Sequence, residues 1–213
     1  MTFYARYVLP RIIDVVMRNP ESTRLRSSWI PRATGNVLEV GIGSGLNLSF
    51  YSSEVRCVFG VDPSLELQSM ARKRAAALAI RVEYLSHSAE EPLPLDDRSI
   101  DTVVTTWTLC SIPHARRALE QMARVLKPDG QLIFIEHGLA PDRSVAGWQN
   151  RITPIWRRIG GGCHLNKKID ELIERAGLQI RELKTSYLPG PRPMSYTYEG
   201  IASHAPRGET GRV

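Results

Sequence analysis

Three glycines and two acids in the first third of the chain have the types and spacing of a ligand site. Gly41, Gly43 and Gly45 stand at alternate positions after a short apolar run that contains Glu39. Glycine lets the backbone turn tightly and lets a ligand lie against it without Cβ atoms in the way. The acid suits a positively charged ligand, and Asp62, which closes the next apolar run, suits the two hydroxyls of a ribose. These residues therefore predict a site for a nucleoside that carries positive charge.

A strand must precede these glycines if they are to lie at the edge of a sheet. Val37, Leu38 and Val40 form an apolar run typical of a buried parallel strand, and Asn47 is expected to cap a helix that starts after the glycines. A strand, a glycine turn and a helix N-terminus form the ligand crevice of an open α/β sheet. A dinucleotide site is not indicated, because Leu46 stands where the G-x-G-x-x-G pattern has its third glycine.

The rest of the chain alternates short apolar runs with helical patterns. Strands are predicted at 37–40, 55–61, 82–85, 100–106, 131–136, 178–188 and 195–203, and helices at 3–18, 62–79, 114–125, 144–159 and 166–176. The helix at 3–18 is amphipathic, with Asp14 among the polar residues opposite its apolar face. Pro10 and Pro154 are expected to kink or break their helices, Asn166 to cap the last helix, and residues 127–130 to form a turn.

Residues 39–45, with Asp62 after them, resemble the first motif of the class I S-adenosylmethionine-dependent methyltransferases, whose pattern is E/D-x-G-x-G-x-G. The run R-V-L-K-P-D-G-Q-L at 124–132 resembles the segment after strand four of that family, so the resemblance extends over residues 36–138. It implies S-adenosyl-L-methionine as the cofactor and an α/β, Rossmann-like fold. The sheet would have seven mostly parallel strands with an antiparallel last strand, and helices on both faces. It also implies that the glycine loop holds the methionine part of the cofactor and that Asp62 holds the ribose.

The adenine ring is expected to lie against residues 87–95. In this family the segment often reads G-D-A-E-x-L-P, with the Asp facing the adenine amino group, whereas Ser88 stands at that position here. Contacts from Ser88, from the backbone around Ala89 and from Glu90 are open alternatives. The residues predicted to bind the cofactor are Glu39, Gly41, Gly43, Gly45, Asn47, Asp62, Pro63, Ser88, Ala89, Glu90, Thr106 and Trp107.

Residues 106–112, 134–137 and 162–165 resemble the small bacterial relatives of animal methyltransferase-like alkyl-thiol S-methyltransferases. This resemblance covers residues 3–203 and implies a small-molecule acceptor, a thiol or sulfide. The animal enzymes have a long hydrophobic N-terminal membrane anchor, which the predicted helix at 3–18 does not match, so membrane residence is not carried over. An N-methyltransferase of an amine or a phospholipid head group is the first alternative. A cofactor-binding regulator without turnover is the second.

A thiol acceptor must lose its proton to react. The thiolate is the nucleophile, and a free thiol with a pKa of about 8.5 is mostly protonated at neutral pH, so a base would help. His137 at the end of strand five is the first candidate and His164 in the glycine-rich link the second. The predicted substrate pocket consists of Tyr4, Tyr7, Cys110, Trp148 and Tyr196. The rings of Trp107, Trp148 and Tyr196 could cover a sulfonium. Each of these residues has a structural alternative, as a hydrogen-bonded histidine or a packed core side chain.

The cysteines and the charge restrict the partners. Cys57, Cys110 and Cys163 are odd in number and far apart, which fits neither a disulfide framework nor a zinc site, so no metal and a reducing cytoplasm are expected. The net charge of +6 raises nucleic acid or an anionic membrane as partners. Nucleic acid is not expected, because no dense basic block with interleaved aromatic residues is present. Peripheral contact of the basic N-terminal helix with anionic membrane stays open.

A length of 213 residues predicts one catalytic domain, here residues 36–204, in a monomer or homodimer. Residues 1–35 are expected to form a helical segment at the sheet edge or a lid over the cofactor. Residues 143–165 are expected to form a helical insertion that either packs on the core or covers the substrate, and residues 205–213 are expected to be disordered. Neither a membrane-spanning helix nor a secretory signal is expected, because no apolar stretch is long enough and charged residues interrupt the N-terminal segment.

Overall fold

Seven strands form one sheet in the computed structural model, which describes Tyr4 and residues 8–206. They are β1 (Gly35–Val40), β2 (Val55–Val61), β3 (Val82–Leu85), β4 (Ile100–Thr106), β5 (Leu126–His137), β6 (Leu178–Tyr187) and β7 (Tyr196–His204). The sheet order is β3-β2-β1-β4-β5-β7-β6. The first five strands run parallel, and β7 lies antiparallel to both β5 and β6. The predicted α/β sheet with an antiparallel last strand is confirmed.

Helices cover both faces of this sheet. They are α1 (Leu9–Val16), α2 (Pro20–Trp29), α3 (Leu65–Leu78), α4 (Ala115–Val125), α5 (Arg143–Ile159), α6 (Ile169–Arg175) and α7 (Arg192–Ser195). Val37 of β1 packs into a core with α2 and α3, whereas its neighbour Leu38 packs into a core with α4 and α6. Successive side chains of a strand point to opposite faces, so a parallel strand between two helical layers must be apolar at both positions.

The break predicted at Pro10 fits α1, which begins at Leu9 and has Pro10 in its first turn, where a missing N–H leaves no bond unmade. Two other predictions about helices were wrong. Pro154 lies inside α5, which continues through it to Ile159. Lys168 holds the N-cap position of α6. Asn166 instead donates a hydrogen bond to the side chain of Asn150 at 2.9 Å.

The predicted turn at residues 127–130 is an irregularity inside β5. Pairing with β4 passes from Ile100 opposite Leu126 to Thr102 opposite Gln131, so these residues bulge from the ladder without ending the strand. Tyr7 and residues 207–213, most of the segment predicted to be disordered, lie outside the described residues. Within the described part of the chain, every helix is too short or too polar to cross a bilayer.

Two glycines give a matched test of the packing. An alanine methyl at Gly147 in α5 would meet no atom within 4 Å, whereas at Gly200 in β7 it would lie 2.0 Å from the backbone oxygen of Glu182. We expect Gly147→Ala to raise the free energy of unfolding by about 0.5–1 kcal/mol, because alanine loses less backbone entropy in a helix. Gly200→Ala should lower it by about 3 kcal/mol, because the strands must separate locally. Urea unfolding followed by circular dichroism measures both, and an unchanged midpoint for Gly200→Ala would contradict the register of β6 and β7.

Candidate active site

A cavity of about 580 Å³ lies at the carboxyl ends of β1, β2, β4 and β5. Open α/β sheets bind ligands at this edge, and the volume is that of a small-molecule site. The predicted site residues that line it are Tyr4, Glu39, Gly41, Gly43, Asn47, Asp62, Pro63, Ser88, Ala89, Glu90, Thr106, Trp107, Cys110 and His137. The fold therefore brings most of the predicted cofactor residues and part of the predicted substrate pocket to one place.

Two of the aromatic residues predicted for the substrate pocket lie elsewhere. Trp148 is 57% exposed on α5 and does not line the cavity. Trp156, two turns later on the same helix, does line it. Tyr196 is buried between the rings of Tyr187 and Tyr198, with ring centroids 4.9 and 5.4 Å away. Both predictions were wrong because an apolar helical stripe and a strand-end tyrosine also fit ordinary packing.

Gly45 and His164 lie close to the cavity without lining it. At Gly45, where φ is +79°, a Cβ would lie 2.8 Å from the Leu48 side chain and 3.0 Å from Ala71 of α3. This glycine therefore allows close packing of the loop on α3. The ring Nδ1 of His164 lies 3.3 Å from the backbone oxygen of Cys110, beside a backbone hydrogen bond of 2.8 Å between the same two residues. This histidine supports a loop of the site.

Asp62 joins the glycine loop to the end of β2. Its Oδ2 accepts a hydrogen bond from the backbone N–H of Gly43 at 3.0 Å, and its Oδ1 accepts one from that of Ser64 at 2.8 Å. Burial raises the pKa of Asp62 against these two bonds. Each carboxylate oxygen keeps a second lone pair, so Asp62 can still accept from ribose hydroxyls. A Cβ at Gly43 would have only the Gly41 oxygen nearby, at 3.8 Å, so this side of the loop is open to a ligand.

Glu39 is buried at the end of β1. It accepts hydrogen bonds from Asn47 Nδ2 at 2.9 Å and from the Tyr51 hydroxyl at 2.8 Å. Asn47 also donates to Thr106 Oγ1 at 3.1 Å, and it caps no α-helix, because a 3-10 turn at Leu48–Phe50 follows it. The predicted helix start was therefore wrong. Burial raises the pKa of Glu39 to about 7, although both hydrogen bonds and a nearby guanidinium favour the ionised form.

That guanidinium belongs to Arg26 of α2, a residue that no sequence motif singles out. The side chain is buried, with Nε donating to Asn47 Oδ1 at 2.9 Å and Nη1 to the Met17 oxygen at 2.7 Å. Its charged end lies 4.8 Å from the centre of the Trp107 ring. Burial lowers the pKa of Arg26 to about 10, opposed by Glu39. The cavity thus holds a carboxylate and a guanidinium close together, as a zwitterionic ligand requires.

Helix α1 lies over the cavity and is tied to the glycine loop by Asp14. Ser44 Oγ donates to Asp14 Oδ1 at 2.5 Å, and Arg74 Nη2 donates to the same oxygen at 2.7 Å. Burial opposes the charge, yet these bonds lower the pKa of Asp14. Asp14 is only 3% exposed while Val15 is 69% exposed, so the predicted orientation of this helix was wrong. The ion pair of Asp14 with Arg74, and not the apolar face, sets which side of α1 turns toward the fold.

A second buried carboxylate, Glu136 at the end of β5, shapes the opposite end of the cavity. Its Oε1 accepts from Thr105 Oγ1 at 2.7 Å and from the backbone N–H groups of Thr108 and Leu109 at 3.0 Å. Its Oε2 accepts from the backbone N–H of Cys110 at 3.3 Å. Burial raises the pKa of Glu136 against these four bonds. The sequence placed Glu136 in a strand but gave no sign that it holds the loop after β4.

The loop held by Glu136 brings chemically active groups into the cavity. Trp107 adopts a left-handed φ of +50°, which a non-glycine residue takes only when its surroundings impose it. Its ring meets that of His137 edge-on, with centroids 6.4 Å apart. Cys110 packs with Cys163, which follows α5, and both cysteines are free and buried. The hydrogen bond between these two thiols raises the pKa of Cys110 and lowers that of Cys163.

Comparison with known proteins agrees with this geometry. A family model described as a methyltransferase domain matches residues 38–134. Thiol S-methyltransferase TMT1B of Rattus norvegicus is 37% identical over 161 residues, which cover 73% of this chain and 64% of that protein. Phosphatidylethanolamine N-methyltransferase of Cereibacter sphaeroides is 34% identical over 172 residues, which cover 80% of this chain and 83% of that protein. The chain belongs to the S-adenosylmethionine-dependent methyltransferases.

The solved structure of YcgJ from Bacillus superposes with a TM-score of 0.67 at 18% identity, covering 88% of this chain and 100% of that one. This likeness shows the Rossmann-like methyltransferase fold. The chain spans just under two thirds of the rat protein, 64% of its length. The expected class of enzyme and its cofactor, S-adenosyl-L-methionine, are confirmed by the family.

The residues of this methyltransferase fit that cofactor. When bound, it supplies a methyl group on a positively charged sulfur, so the protein has to bind and orient rather than activate it. Arg26 and Glu39 provide the opposite charges that the carboxylate and ammonium of a methionine need, and Asp62 provides acceptors for a ribose. Ser88, Ala89 and Glu90 line the cavity where adenine is expected.

The open side of Gly43 gives a test of the loop. We expect Gly43→Asp to abolish cofactor binding while the fold survives, because aspartate tolerates the φ of +53° and its carboxylate would occupy ligand space. Calorimetry with S-adenosylhomocysteine and circular dichroism measure the two effects. Gly45→Ala is the matched control, since its methyl points toward α3 and should lower stability more than it alters binding. Retained affinity in Gly43→Asp would contradict the assignment.

The raised pKa of Glu39 predicts how affinity depends on pH. The ionised carboxylate attracts a ligand ammonium, so affinity should rise as pH increases through about 7 and level off above it. Between pH 6 and 8 the dissociation constant for S-adenosylhomocysteine should fall about tenfold, following the ionised fraction. Glu39→Gln should bind more weakly at pH 8 and lose this dependence. Equal affinities of the unmodified protein at the two pH values, measured by calorimetry, would refute the role of Glu39.

Proposed function

We propose that this enzyme methylates the sulfur of a small thiol or sulfide, with a methylated sulfur compound and S-adenosylhomocysteine as products. The observation that carries the proposal is the end of the cavity beyond Trp107. Cys110, Cys163 and His137 line it together with apolar side chains, among them Leu165 and Met194. The relative from rat, whose name describes a thiol S-methyltransferase, supports the same acceptor.

The polarity of this end favours a neutral thiol over an ammonium. A protonated amine needs a carboxylate nearby, and burying it without one would cost several kcal/mol. Glu136 is a buried acid near this end, but its oxygens accept three hydrogen bonds from the loop after β4 and one from Thr105 of β4. A small thiol enters such a site without that penalty, and its proton is the one group that must leave.

We infer that His137 promotes ionisation of the acceptor thiol. Its ring lines the cavity and lies near Cys110, at the end of the strand where an α/β site places its reacting groups. The other predicted base, His164, does not line the cavity and faces the Cys110 backbone oxygen. Of the two histidines, only His137 can reach an acceptor without rearrangement.

A second candidate, methylation of a phospholipid amine, is favoured by the surface around the cavity. Ile12 and Val16 of α1 and Ile159 of α5 line the cavity, yet they are 45%, 58% and 54% exposed. Exposed arginines, Arg157 and Arg158, follow one another on the same turn of α5. An apolar rim with basic neighbours suits the surface of an anionic bilayer, and the relative from Cereibacter sphaeroides is named for phosphatidylethanolamine. Peripheral membrane contact is part of this second proposal.

A labelled-methyl assay separates the two candidates. The acceptors are sulfide, a series of alkyl thiols, small amines, and vesicles that contain phosphatidylethanolamine. We expect label in the thiols, and we expect His137→Ala to lower that rate by about 10²–10⁴-fold, the usual range for loss of acid–base assistance. His204→Ala is the matched control, because this histidine ends β7 beside Leu126, at the opposite end of β5 from His137.

One outcome would contradict the thiol acceptor, and another would contradict the role of His137. Label in phosphatidylethanolamine but in none of the thiols would replace it with the second candidate. An unchanged thiol rate in His137→Ala, with unchanged affinity for S-adenosylhomocysteine, would remove the role of His137 and leave the thiol assignment standing.

A further inference from the structure

Cys110, His137 and Cys163 form a cluster that the sequence did not suggest. Their Sγ atoms and a ring nitrogen of His137 all lie within 4.8 Å of one another. The three residues come from the loop after β4, the end of β5 and the link after α5. Because neighbouring members lie at least 26 positions apart along the chain, no local motif marks the cluster. Cys110 and Cys163, which are far apart in the sequence, pack together in the fold.

Backbone hydrogen bonds hold each of the three residues in place. Glu136 accepts a hydrogen bond from the Cys110 backbone at 3.3 Å, and β-pairing with Thr197 of β7 holds His137. The N–H of Cys163 donates to the Gly160 oxygen at 3.2 Å, within a link in which Gly161 and Gly162 take left-handed φ values. A binding site gains precision when the backbone that carries its side chains is held in this way.

Two thiolates and one imidazole are donors that zinc prefers. Zinc bonds of about 2.3 Å to sulfur and about 2.0 Å to nitrogen at a tetrahedral angle put ligand atoms about 3.5–3.8 Å apart. The ligand atoms of this cluster lie within 4.8 Å of one another, so they need to approach by about 1.3 Å at most. Catalytic zinc sites have three protein ligands and leave a fourth position for water or substrate. All three members of the cluster line the cavity that also contains the glycine loop, so a fourth position would open toward the reacting groups.

We propose that Cys110, His137 and Cys163 bind a zinc ion whose fourth position takes the sulfur of the acceptor thiol. The inference rests on the proposed thiol function and gives His137 its means of action, as a metal ligand. A thiol that binds zinc loses its proton to solvent, which makes the nucleophile at neutral pH.

The atoms balance in a single displacement. The acceptor sulfur forms a bond to the methyl carbon while the bond from that carbon to the cofactor's positive sulfur breaks, and its electron pair stays on the cofactor as S-adenosylhomocysteine. The product is a neutral thioether, a weaker ligand than the thiolate, which leaves the zinc to water.

The charges around the cluster favour a zinc ion with a bound acceptor thiolate. Two cysteine thiolates balance the charge of Zn²⁺, and an acceptor thiolate then adds one negative charge. The ammonium of Lys167 lies close enough to act on both cysteines, held by the Leu109 oxygen at 2.9 Å and by the Ile112 oxygen.

Titration of the reduced, metal-free full-length protein with Co²⁺ tests the site without any turnover. We expect one equivalent to bind with thiolate-to-cobalt charge-transfer absorption and with the visible bands of a tetrahedral ion, and Zn²⁺ to displace it. Cys110→Ser and Cys163→Ser should lose this absorption and weaken binding by at least about 100-fold. Cys57→Ser is the matched control and should behave as the unmodified protein, because Cys57 lies on β2 beside Glu83. Circular dichroism and S-adenosylhomocysteine binding establish that each variant is folded.

Absence of the charge-transfer band from the reduced protein would overturn the zinc site, and so would its persistence in both serine variants. A Cys110–Cys163 disulfide in protein kept under reductant, seen by mass spectrometry, would overturn it too. If chelated protein without metal methylates thiols at the full rate, the metal inference fails and the thiol function stands. If cobalt binds as expected while no thiol accepts label, the thiol function fails and the metal site stands.

Discussion

A carboxylate buried at the end of a central strand determines the reacting end of this enzyme. Glu136 is fully buried, and taking such a charge out of water costs several kcal/mol unless hydrogen bonds replace the water. Here three backbone N–H groups and one hydroxyl replace it, and all four belong to the segment from Thr105 to Cys110. The hydrogen bonds that offset this cost therefore also fix the loop that carries Trp107 and Cys110. Without that anchor, Cys110 would have no defined position relative to His137 and Cys163.

A second buried carboxylate acts in the same way on the other side of the cavity. Glu39 binds Asn47 and Tyr51, and Asn47 links it to Arg26 and to Thr106. The Glu39 network reaches Thr106 at the end of β4, and the Glu136 network reaches Thr108 in the loop that follows. The strained backbone of Trp107 lies between these two residues. In the function that we propose, the Glu39 network holds the methionine end of the cofactor, and the Glu136 network presents the acceptor. Helix α1 covers both, because Asp14 ties it to the glycine loop.

Local patterns predicted the parts of the site that are local in the fold. The glycines after β1 and the acid that ends β2 lie on adjacent strands, so alternating hydrophobic runs were enough to place them together. Arg26 and the Cys110–Cys163 contact were not predictable, because long-range packing alone brings them to the cavity. Trp148 and Trp156 lie on the same helix, and the apolar stripe that contains both does not indicate which one lines the cavity. The helix predicted after the glycine loop failed for a related reason, since Asn47 makes tertiary bonds instead of a cap.

We propose that one cavity holds the cofactor at the Glu39 end and directs its sulfur toward the cluster of Cys110, His137 and Cys163. A crystal structure of the protein with S-adenosylhomocysteine would show the position of each part of the ligand. We expect the ribose at Asp62, the amino acid end between Arg26 and Glu39, and the sulfur facing the cluster with room for one small thiol between them. A sulfur that points away from the cluster, toward α3 or bulk solvent, would contradict it.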